Sequence, residues 1–235
     1  MLPTYFLRLA LEIGGTPHKV TTDFGTETVQ MGAYQMWLSS RYAGITIEEA
    51  ETQMHFTKST LNQKIEGLWS QMMKQHNWSV IAIIKEEIHW GGYQAADQVQ
   101  KLLFLSLWIP IFQSSVDMCI DAYNLTRRRR DHLTSLPTAC TADFCYSTPK
   151  SFATTGQLVP VPANKLNLMI VKDFPDCVEM FQHTPVWFDQ LRHRILKRIG
   201  IKLTDITVGT VWTVFHQMLP LVEAEVDRQS CSPSD

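Results

Sequence analysis

Charge is scarce in this chain and nearly balanced. Against 21 Lys and Arg stand 23 Asp and Glu, a formal net charge of −2 over 235 residues. That balance excludes a uniformly basic coat for nucleic acid, so any phosphate contact has to come from local clusters. Cysteine is sparse as well: Cys119, Cys140, Cys145, Cys177 and Cys231 form no zinc-finger spacing, and reduced intracellular thiols are expected. No secretory signal opens the chain, because residues 2–10 contain Pro3 and Arg8 and lead straight into a helical pattern. Long hydrophobic runs are also lacking. The longest, 102–112, is interrupted by Ser106 and Pro110 and falls short of the roughly 20 residues that span a membrane. A buried helix kinked at Pro110 accounts for it, and no membrane association is expected. No internal repeat is evident.

What is present is the composition of a folded, soluble protein. With 45% hydrophobic and 19% charged residues, the chain can bury a core in one large or two small domains. Helical spacing covers 3–13, stopped by Gly14 and Gly15. A short strand is expected over 19–22, ending at Asp23, and the Gly25 turn leads into a helix opened by Thr26 or Glu27. A second strand fits 53–56. Thr60 and Gln63 suit a capping box for a helix carrying Asn62, Ile65, Glu66, Trp69 and Met73, of which Trp69 and Met73 are expected in the core. Helices follow over 78–90, stopped by Gly91 and Gly92, and over about 97–123. A Thr/Ser/Pro-rich linker spans 134–162. The tail is helical, with Leu191, Ile195 and Ile199 on one face and a last amphipathic helix, through Val211 and Val222, capped by Asp205.

The chemistry rests on two acids. Phosphoryl transfer on a nucleic-acid backbone uses metal ions to activate the attacking oxygen and neutralise the leaving one. Mg²⁺ prefers hard oxygen ligands, which Asp and Glu supply. An Asp closing a strand and a Glu on a nearby helix can meet in the crevice outside the strand ends. Asp23 and Glu66 suit those two roles. An isolated Asp before a Gly is usually a plain turn residue; coupling to the Asn62 and Glu66 helix turns the balance toward metal-ligand ancestry. Glu27 reads as a helix-start acid favoured by the dipole. Asn62 either orients Glu66 or lies on a solvated face. Arg127, Arg128, Arg129 and Arg130 either grip DNA phosphates or form a solvated basic loop. The Arg192, Arg194, Lys197 and Arg198 cluster reads as the wet face of an amphipathic helix.

The run Asp23, Gly25, Glu27, followed by Ser59, Asn62, Ile65 and Glu66, resembles the catalytic core of retroviral and retrotransposon integrases. The Asn124 and 127–130 element and the 212–220 segment resemble integrase-core-like proteins predicted in fungal and some animal genomes. The resemblance implies an α/β, ribonuclease-H-like fold, N-terminally truncated. It would be mostly helical, with a remnant of two short parallel strands ending at about Thr22 and Phe56. The expected organisation is a partial core over 1–133 lacking the first three strands, the linker 134–162 and a helical C-terminal region over 163–235. In the intact family Mg²⁺ or Mn²⁺ would support DNA strand transfer. Here Asp23 and Glu66 would be the surviving ligands, with Asn62, Lys64 and Arg127 to Arg130 as DNA contacts. Phe24 departs from the family's usual Asn or small residue. The first carboxylate of the triad is expected to be absent, which implies an inactive core. The alternative is a domesticated, non-enzymatic module binding nucleic acid or protein. Nuclear localisation and possible homo-oligomers are further expectations from the resemblance.

Overall fold

A computed structural model describes residues 2–23, 25–57, 63–132 and 137–230, with side chains at 63, 64, 229 and 230 left aside. In chain order the elements begin with α1 (Leu2–Ile13), β1 (Gly15–Pro17), β2 (Val20–Asp23), α2 (Thr26–Tyr42), α3 (Ile47–Gln53) and β3 (Met54–Thr57). Next come α4 (Gln63–Met72), a π-helical turn (Met73–Asn77), α5 (Trp78–His89), α6 (Gln98–Leu125) and α7 (Ala142–Ser147). The last are β4 (Leu158–Pro160), α8 (Ala163–Asp173), α9 (Val186–Arg198) and α10 (Val211–Ser230). The protein is mostly helical, with a few short strands.

Glycine closes the helices where the chain needs a left-handed residue. Gly14, Gly91 and Gly200 have φ of 76°, 76° and 74° just past α1, α5 and α9. Caps open others. The Asp97 side chain accepts the Gln100 amide at 2.8 Å to start α6. Thr46 and Glu49 form a reciprocal capping box on α3, a helix that the sequence reading passed over despite its Thr-x-x-Glu signature. Asp205 is not the cap of α10. It ends a 3-10 turn, and the Thr207 amide donates instead to Thr210 Oγ1, at 3.0 Å, just before the helix. The Thr60 and Gln63 box lies outside the described residues.

The chain folds as two compact units. The first comprises residues 1–70, 132–137 and 144–181. Phe6, Leu7 and Ala10 of α1, Met31 and Leu38 of α2, Met54 of β3, and Leu166 and Ile170 of α8 make its core. Two strand pairs flank these helices. β2 and β3 run parallel, with Val20 opposite Met54 and Asp23 opposite Thr57. These are the two short parallel strands that were expected. β1 and β4 form a second, antiparallel pair, with Gly15 opposite Pro160. Three-residue strands such as Gly-Thr-Pro carry no alternation to betray them, and their partners are far apart in sequence. The buried Gln35 donates from Nε2 to the Pro17 carbonyl and to Ser39 Oγ, which ties α2 to the end of β1.

The second unit comprises residues 71–131, 138–143 and 182–235. It is helical, with a core periodic at three- and four-residue steps. Leu103, Leu107 and Ile111 of α6 meet Phe188, Leu191 and Ile195 of α9 and Val211, Phe215, Met218 and Val222 of α10. Tyr93 stacks on Phe104 with centroids 4.7 Å apart. By length and composition alone α6 could cross a membrane, yet Leu103, Leu107, Trp108 and Ile111 are buried in this core. Pro110 sits inside α6. It has no amide for the Ser106 carbonyl one turn back, and Arg192 Nη1 fills that place at 2.7 Å. The same guanidinium pairs with Asp189 at 3.2 Å.

The units interleave along the chain. The 134–162 segment, expected as a linker, contributes α7, a 3-10 turn (Pro149–Phe152) and β4. α8 packs with α1 in the first unit, while α9 and α10 belong to the second. Cys140 and Cys145 are disulfide-bonded, against the expectation of reduced thiols, while Cys119 and Cys177 are free. Trp69 and Met73 are not in the core: they are 58% and 40% exposed.

Candidate functional site

Asp23 is the last residue of β2, half-buried, directly before the turn into α2. Its backbone carbonyl accepts the Thr28 hydroxyl at 3.1 Å, and the same hydroxyl meets the Gly25 carbonyl at 2.6 Å. Thr28 is buried and thereby pins the turn. It was missed in the sequence, although a hydroxyl in the first helical turn is well placed to reach back to the entering chain. Among the described residues the Asp23 carboxylate receives a long contact from the Thr22 hydroxyl, at 3.5 Å. Glu27 stands in the first turn of α2, as expected of a helix-start acid. Its carboxylate lies over Gly25, where a Cβ would meet it at 2.9 Å.

Glu66 lies in the first turn of α4 and is exposed. Among the described residues it makes no hydrogen bond or ion pair. Nor does a group of three or more His, Cys, Asp or Glu converge on a potential metal position among them. Asp23 and Glu66 are hard oxygen donors of the right kind for Mg²⁺, an ion commonly held by one or two carboxylates with waters and phosphate oxygens completing its octahedron. Asn62 lies outside the described residues, as does the side chain of Lys64.

The arginines fall in the second unit and divide by engagement. Arg127 Nε donates to the Ala139 carbonyl at 2.8 Å. The Arg128 amide donates to the Cys140 carbonyl at 3.0 Å, and its guanidinium lies 5.4 Å from the Tyr123 ring centroid. Arg129 and Arg130 are exposed, with no hydrogen bond or ion pair among the described residues. Two of the four cations thus shape their own loop and two are presented to solvent. Of the second basic cluster, Arg192 is committed to Ser106 and Asp189.

Compared with protein-family models, curated proteins and solved structures, the chain matches none.

Proposed function

We propose that this protein is an integrase- or transposase-derived core that engages DNA through phosphate contacts without carrying out strand transfer. The observation that carries this reading is the parallel pair β2–β3, which closes with Asp23 opposite Thr57. The strand-end carboxylate and the chain leading into the Glu66 helix leave from the same end of that pair. This is the layout in which a strand acid and a helix acid come to share a metal. Two carboxylates leave a two-metal site incomplete, and with it the placement on which phosphoryl transfer depends. Arg129 and Arg130 supply exposed cations for backbone contacts that carry no sequence information.

Calorimetric titration of the full chain with Mg²⁺ and Mn²⁺ is the direct test, with Asp23→Asn and Glu66→Gln alongside. Weak uptake by the wild type that each substitution reduces supports the reading. Equal uptake by all three removes it.

One observation favours a second reading, a non-enzymatic binding module. Ile65 and Trp69 lie one turn apart on α4 and are 37% and 58% exposed. An apolar stripe open to solvent suits a protein partner. Replacing Trp69 with Glu would then abolish partner capture and leave metal uptake untouched.

A further inference from the structure

The π-helical turn Met73–Asn77 sets up a chain of polar contacts that neither reading above uses. His76 Nδ1 lies 2.8 Å from Asn77 Oδ1. Its other nitrogen, Nε2, lies 2.5 Å from Ser115 Oγ on α6. An amide oxygen can only accept, so Nδ1 carries the proton and Nε2 turns its lone pair to the Ser115 hydroxyl. Phe112, on the turn before Ser115, packs against the imidazole with centroids 5.6 Å apart and a 47° tilt. It fixes the ring plane.

In a regular α-helix residues 76 and 77 would point about 100° apart. Here the two side chains meet in a π-helical turn, and such turns recur at functional sites. Hydroxyl to imidazole to orienting oxygen is the order of an activated nucleophile, its base and the group that sets the base's tautomer. His76, Asn77 and Ser115 are each half-buried, so the cluster is partly open to solvent.

We propose that Ser115 is a nucleophile for acyl transfer, with His76 as its general base and Asn77 as a positioning residue, acting on small esters. Ser115 Oγ attacks the ester carbonyl carbon as its proton passes to His76 Nε2. Collapse of the tetrahedral adduct breaks the bond to the alkoxy oxygen, and the departing alcohol takes that proton. Water then attacks the acyl carbon and gives a proton to Nε2. The acyl–Oγ bond breaks, the serine oxygen recovers the proton and a carboxylic acid leaves. General-base help of this kind is worth about 10²- to 10⁴-fold.

The test uses the full chain with 4-nitrophenyl acetate and a fluorophosphonate probe. Cys119 is a free thiol one helical turn beyond Ser115, so every protein also carries Cys119→Ala. The probe is expected on the Ser115 peptide and absent after Ser115→Ala. His76→Gln should slow labelling and ester hydrolysis about 100-fold. Asn77→Leu should slow both about tenfold, and Asn77→Asp should restore them, a pattern that a merely structural tie would not produce. As a guard against misfolding, Ser115→Cys keeps a nucleophile in place, and its alkylation by iodoacetamide should fall when His76 is replaced. Labelling elsewhere, no labelling at all, or a rate indifferent to His76 overturns the proposal.

Discussion

Arg192 Nη1 donates to the Ser106 carbonyl oxygen at 2.7 Å, taking the place of the amide that Pro110 lacks. A side chain on α9 thus completes the hydrogen bonding of α6. The interaction is charge-assisted, and Asp189, which also accepts the Thr184 hydroxyl at 2.8 Å, holds the guanidinium in place.

The partnership makes a coupled prediction. Arg192→Met should cost about 1–3 kcal/mol, the penalty of a buried acceptor left unpaired. Pro110→Ala returns an amide to the ladder, so in that background the same substitution should cost clearly less. Urea unfolding of the four proteins in the cycle measures the difference. Simple additivity would mean that the two residues do not share the carbonyl.

The capping box on α3 is exposed and local, which makes it a clean test of helix entry. Thr46→Ala removes the acceptor that meets the Glu49 amide at 3.2 Å. Loss of about 0.5–2 kcal/mol is expected. It should appear as faster amide exchange at Glu49 and Ala50, with the second unit unaffected.

Tyr34 donates to Asp173 Oδ2 at 2.8 Å, joining α2 to α8. Burial first, and then the Asp173 carboxylate, push its pKa up to about 12 from the ordinary 10.0. The folded state therefore holds this proton more tightly than the unfolded chain. The associated stability is complete below pH 10 and is lost as pH rises from 10 through about 12. Tyr34→Phe should flatten that alkaline decline, read from denaturation midpoints at pH 9 to 11. An unchanged slope would assign the decline to other groups.

Glu87 Oε1 and His216 Nε2 meet at 2.6 Å beside Gly92. A Cβ at Gly92 would fall inside contact distance of that carboxylate, with His216 Cε1 at 3.2 Å. Gly92→Ala should push the flexible Glu87 carboxylate aside and cost at most about 1 kcal/mol, through its contact with His216. Glu87→Ala clears the space, so the double variant should be about as stable as Glu87→Ala alone. Thermal melts decide it. A double variant that is clearly weaker would place the strain in the backbone.

Much of the helical skeleton can be read from local chemistry. Gly14, Gly91 and Gly200 mark helix ends because few other residues adopt their φ. Asp97 announces α6 because its carboxylate accepts an amide three residues on. The end of β2 at Asp23 and the place of Glu66 on a helix follow from the same kind of pattern. Features set by distant parts of the chain are not legible in this way. The β1–β4 pairing joins Gly15 to Pro160, and the Ser106 carbonyl finds its donor on Arg192. The Ser115–His76 contact links α6 to a π-helical turn for which no sequence pattern was available. Trp69 and Met73 mislead because their spacing resembles that of core residues although both face solvent.

The interleaving of the two units sets a timetable for biosynthesis. When the ribosome has released residue 133, α1 and α2 still lack the α8 residues Leu166 and Ile170 that finish their core. At the same moment α6 lacks all of α9 and α10. Neither core can close until chain well beyond that point has emerged, and each closure joins residues far apart in sequence, which slows folding. A nascent fragment ending near 133 should therefore be protease-sensitive throughout, and such intermediates are the ones that draw on chaperones.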